Sequence, residues 1–141
     1  MSITLVKPYF SEKCTTAGFE EWLDGFGEDN IPSTLLDRAF HQRVISVDGR
    51  GINQETIEFV VTHEVKVFFK GFDDPMSAID QSLVDCQSLI VSIINIADVA
   101  DANIKGVFFE SMSIDPFDNA VNDNIIIATL RFSVRVYNCL A

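Results

Sequence analysis

Cysteine is scarce and poorly placed for cross-linking. Cys14, Cys86 and Cys139 are odd in number, far apart and include no CxxC, which speaks against a disulfide framework and fits a reducing compartment. Positive charge is also in short supply: 10 Lys and Arg stand against 21 Asp and Glu, a formal net charge of -11. A protein that grips duplex DNA needs a basic face to displace counterions, so DNA is not expected as a bound partner. Uninterrupted apolar runs are missing. The longest apolar pattern, residues 75–97, carries Asp80 and Asp85, so it reads as a core helix and no membrane span is expected. The N-terminus lacks a charged leader region and Pro8 breaks its only short apolar stretch, so no secretory signal is expected.

What is present points to a packed globule. The 141 residues suit one domain spanning 1–141, and a chain of this length buries about 70% of its unfolded surface. With 48% hydrophobic residues, 12 Phe and a mean hydropathy of +0.21, apolar surface is left over, which favours an oligomer.

Periodicity supplies the elements. Val6, Phe10, Cys14, Phe19 and Trp22 recur at roughly helical spacing, giving an N-terminal helix within residues 3–26 that starts near Lys7, with Pro8 in its first turn and Gly18 as a stop. Residues 29–34, Asp-Asn-Ile-Pro-Ser-Thr, read as a loop before a short turn through Leu35 and Leu36, residues 40–47 as a strand, and Asp48-Gly49-Arg50-Gly51 as a loop. Residues 56–70 alternate strictly: Ile57, Phe59, Val61, His63, Val65, Val67 and Phe69 share one face, and Glu58, Val60, Thr62, Glu64, Lys66, Phe68 and Lys70 the other. A helix over 75–95 follows, capped by Asp73 or Asp74 with Pro75 at its first position. Its expected core stripe is Ile79, Leu83, Cys86, Ile90, Ile93 and Ala97, followed by a loop with Asp98 and Asp101. Strands over 105–114 and 124–138 flank a turn at Pro116-Phe117-Asp118-Asn119. The expected fold class is therefore α+β: an antiparallel sheet with two long strands packed against one long helix, plus an N-terminal helix.

A 15-residue strand spans about 50 Å at ~3.4 Å per residue, whereas a compact domain of this size is under about 40 Å across. The long strands must bend, bulge or project, and a projecting sheet offers edge and face to a neighbour. No catalytic constellation emerges. His63 lies on the apolar strand face and reads as a hydrogen-bonded buried histidine, with cross-sheet pairing to His41 left open. Cys86 reads as a small core hydrophobe. Asp98, Asp101, Asp115, Asp118 and Asp123 fall in two expected loops without calcium-loop spacing and read as solvated acids. Neither Gly25-Phe26-Gly27 nor Gly49-Arg50-Gly51 continues into a phosphate loop. The expectation is a non-enzyme with no cofactor and no metal. A small metal-dependent enzyme or ligand-binding domain built on His41, His63 and a loop carboxylate is the alternative of another class.

Three stretches carry a resemblance: residues 29–41, Asp-Asn-Ile-Pro-Ser-Thr-Leu-Leu-Asp-Arg-Ala-Phe-His; residues 65–75, Val-Lys-Val-Phe-Phe-Lys-Gly-Phe-Asp-Asp-Pro, with Ala78-Ile79-Asp80; and Asn122-Asp123-Asn124 leading into an alternating strand. With the order of elements they resemble the tail terminator (tail-completion) family of long-tailed bacteriophages. The resemblance covers most of the chain as an arrangement and rests on turns and caps, not on chemistry. It implies a homo-oligomeric ring, usually a hexamer, that caps the finished tail tube, ends tube polymerisation and presents a surface to the head-side connector or neck protein. Its place would be the head-proximal end of the virion tail, after assembly in the host cytoplasm, with DNA only as cargo passing through the lumen. A head–tail connector or tail-tube subunit is the near alternative. Arg38, Arg43, Lys66, Phe68, Lys70, Arg131 and Arg135 are the expected subunit-interface residues.

Overall fold

The computed structural model describes residues 6–21, 38–51, 56–70, 75–95, 104–119 and 122–139. Residues 50, 56, 70, 75–78, 115–119, 122–125 and 138–139 among them are described by backbone alone. The element order is α1 (Val6–Thr16), β1 (Glu20–Glu21), β2 (Ala39–Gly51), β3 (Thr56–Lys70), α2 (Pro75–Ile94), β4 (Ile104–Asn119) and β5 (Asn122–Cys139). The loop at 29–34 with its turn, the Asp73/Asp74 cap, and Ala97, Asp98 and Asp101 lie outside the described residues.

The fold is α+β, with a five-stranded sheet in the order β1-β2-β3-β5-β4. It is mixed instead of purely antiparallel, because the two-residue β1 joins β2 in parallel. Four strands are long, not two: β2, β3, β4 and β5 have 13, 15, 16 and 18 residues. The loop expected at residues 48–51 is strand, since its backbone pairs with residues 57–60 of β3. The turn expected at residues 116–119 is also strand. Pro116 sits on β4, an edge strand, where a missing N–H need not cost a ladder bond. Asp115 and Asp118 therefore lie on β4 and Asp123 on β5, not in loops.

α1 ends where glycine permits it. Gly18 has φ 96°, and the Phe19 and Gly18 amides donate back to the Cys14 and Thr15 carbonyls, each at 3.0 Å. This closes the helix in the left-handed manner and turns the chain into β1, so the segment after Phe19 does not continue the helix.

Both helices contribute to one core against one sheet face. Val6, Phe10 and Cys14 of α1 and Cys86, Leu89 and Ile93 of α2 cluster with Val61, Val65, Val67 and Phe69 of β3 and with Ala128, Leu130, Phe132, Val134 and Val136 of β5. Each fully buried large apolar side chain here contributes about 2 kcal/mol. The α2 stripe is rotated from the expected one: Ser82, Cys86, Leu89 and Ile93 point inward and Ile90 packs partly, while Ile79 and Leu83 are exposed. The small Ser82 and Cys86 let the helix approach the sheet and turn the larger residues to its flank. α1 closes the far end of α2, where the Tyr9 hydroxyl donates to the Ile93 carbonyl and the Lys13 ammonium to the Asn95 carbonyl at 3.1 Å, serving groups that a helix end leaves open.

Candidate assembly surface

Successive strand residues point to opposite faces, so the second sheet face is built from the polar half of each alternation. Its centre is a ladder of arginines over carboxylates. Register sets Arg43, Glu64 and Arg131 side by side across β2, β3 and β5. Arg43 Nε donates to Glu64 Oε2 at 2.9 Å, and Arg135 Nε lies 3.2 Å from Glu58 Oε1. Both carboxylates are almost fully buried while the arginines are more than half exposed. The long guanidinium stems lie over the acids and shield them from water. Lys66 is half-buried in the row with His41 and Thr129, and Lys105 stands over the Tyr137 ring at 5.7 Å.

The expected interface residues therefore separate. Arg43, Lys66, Arg131 and Arg135 share this face. Lys70 is opposite Ile125 at the end of β3, and its side chain is outside the described ones. Phe68 is 1% exposed in a row with Ala39 and Ile127; it is already taken up by packing within the chain, which removes it from the contact set. Arg38 is an internal clasp. Its guanidinium bonds Asp85 of α2 at 3.1 Å and stacks over Phe19 at 4.5 Å, while its amide donates to Phe68 and its carbonyl accepts from Glu20. It holds this place with φ 56°, a left-handed conformation that costs a non-glycine residue about 1 kcal/mol or more.

On the helix side lies a polar network that sequence reasoning missed. Gln42, buried in β2, gives its amide N–H groups to Ser11 Oγ at 2.6 Å and Glu21 Oε1 at 2.9 Å, and Ser11 donates to the same Glu21 carboxylate. The amide oxygen is left for His63 Nε2 at 2.8 Å, so His63 carries its proton on Nε2, and Nδ1 is buried without a partner. The His63 ring stacks on Phe10 with centroids 4.3 Å apart. Burial, helped by the Lys7 charge, pushes its pKa down to about 4. Gln42 stands opposite Val65 on the helix side of the sheet, and nothing in the sequence ties it to Ser11 and Glu21. His63 and His41 lie on opposite sheet faces and do not pair. Burial pushes the Cys14 and Cys86 thiols up to about 12, the reverse of what a nucleophilic cysteine needs. Among the described residues no three His, Cys, Asp or Glu side chains converge on one metal position, and no helix is long and apolar enough to cross a membrane.

No protein-family model matches the chain, and no curated protein is significantly similar to it.

Proposed function

We propose that this chain is a structural assembly subunit and not an enzyme: a phage tail terminator that forms a ring, of six copies in the manner of the family it resembles, on the end of the tail tube. The reading rests most on the central strand pair. β3 and β5 keep register without a break from Thr56 opposite Cys139 to Lys70 opposite Ile125. No bulge folds this ribbon back, and at about 3.4 Å per residue it is about 50 Å long, against about 30 Å for the 20 residues of α2. A self-contained monomer has no need of such an overrun; a subunit that lines or spans a ring does. The Arg43, Arg131 and Arg135 ladder offers ion-pair partners to a neighbouring subunit, the tube protein or the head-side connector. The acidic balance keeps DNA from adhering as it passes.

The deciding experiment is polymerisation of the tube protein with and without this chain, viewed by negative-stain microscopy. A terminator binds tube ends, arrests growth and appears as a ring in end-on views. Tubes that lengthen unchecked with the chain unbound would remove the assignment.

A further inference from the structure

The sheet's two long outer strands, β2 and β4, carry exposed charges at Arg43, Asp48, Lys105 and Glu110, yet each also leaves large apolar side chains exposed on its helix side. β1 pairs with β2 at Ala39 and Phe40, and along Val44–Val47 the outer side of β2 has no partner strand among the described residues. There Val44, Ile45 and Val47 are 43, 38 and 43% exposed. β4 is the other edge, with Phe109 at 40%.

These two patches belong to one layer. Val44 and Val47 are opposite His63 and Val61, and Phe109 is opposite Phe132, all on the helix-covered face. α2 extends the layer on the β4 side. Asp85 reaches towards β2 through Arg38, and the helical period sets exposed Leu83 and Ile94 on the opposite flank. The strand directions agree as well. β2 and β5 run one way and β3 and β4 the other, so a second copy in the same orientation, with its β2 beside this β4, continues the antiparallel alternation without reversal.

We propose that β4 and the Leu83 flank of α2 receive the β2 edge of a second copy of this chain, head to tail, joining the two cores under one continuous layer. The patches differ and lie at opposite ends of the sheet, so the contact is heterologous and each copy keeps one edge open for the next, as a closed ring requires. The edge contact itself does not depend on the tail assignment; closure into a ring deepens it.

Mixing tests this directly. Val47→Lys disables the β2 edge and Leu83→Lys the opposite flank; both sites are about two-fifths exposed, so folding is retained, and circular dichroism checks it. Val44→Lys and Ile94→Lys are the second pair. In sedimentation velocity the wild type self-associates with rising concentration, either variant alone stays monomeric, and an equimolar mixture forms a one-to-one heterodimer that grows no further. Three results would overturn the proposal: a wild type monomeric up to millimolar concentration, single variants that assemble like wild type, or a mixture that fails to pair while wild type associates. A monomeric wild type that still arrests tube growth rejects the edge contact and keeps the terminator. An edge-assembled protein that ignores tube ends does the reverse.

Discussion

The central pair, β3 and β5, and the outer pair, β2 and β4, all carry apolar residues on the helix side and are treated differently by the fold. The centre holds unbroken register and buries nearly every residue on its helix side. The outer strands slip register, β2 between Val44 and Ser46 and β4 at three places including Phe109 to Ser111. They leave Val44, Val47 and Phe109 exposed on the same layer that is dry at the centre. Gly49 and Gly51 on β2 and Gly106 and Pro116 on β4 weaken the outer strands, and the chain supplies the outer strands a long partner on one side only. The bulges add twist and bend at the edges, while the centre keeps its register over the full length of β3.

The largest effect should come from the centre. Phe132 is fully buried, tilts on Phe10 at 5.3 Å and meets Phe109 edge-on at 5.7 Å. Phe132→Ala should cost about 3–5 kcal/mol in urea unfolding; a loss under about 1 kcal/mol would show that the centre is not the core.

His63 sharpens the comparison next, because it places a titratable group in that centre. Its folded pKa of about 4 lies below the ordinary 6.5. Between these values the unfolded chain holds a proton that the folded one refuses, so stability rises with pH across the window and falls as acid is added. The loss from pH 6.5 to 4 should approach about 3 kcal/mol. His63→Gln should retain a bond to Gln42, change stability by about 1 kcal/mol at neutral pH and flatten the acid limb. An acid limb unchanged by the substitution would place the titration elsewhere.

The smallest effect belongs to the open face. Arg43→Ala leaves Glu64 partly uncovered, but the arginine is mostly solvated, so about 1 kcal/mol or less is expected in the isolated chain. A much larger loss would show that the ladder holds the monomer together.

Legibility in the sequence followed the same division. The strict alternation of residues 56–70 and the Pro75 start of α2 were readable because one local rule decided each, as was the glycine stop at residue 18. The paired glycines at 49 and 51 read as a loop because their propensity is poor; pairing with residues 57 and 59 of β3 overrides it. The α2 stripe was misjudged at Ile79 and Leu83 because hydrophobicity alone cannot say which side of a broadly apolar helix faces the sheet. Ser82 and Cys86 decide it by size. Of the candidate surface, the arginine face was readable from alternation. The clasp of Arg38 on Asp85, the burial of Phe68 and the Gln42 network depend on contacts between distant segments, which no local pattern encodes.

Hydrogen exchange followed by mass spectrometry, comparing dilute with concentrated protein, tests the division between centre and edge most directly. Assembly through the edges should slow exchange in peptides covering residues 43–51 of β2 and 107–114 of β4, and leave those of β3 and β5 unchanged. Slowed exchange confined to α1, with both edges exchanging as fast in concentrated as in dilute solution, would contradict it.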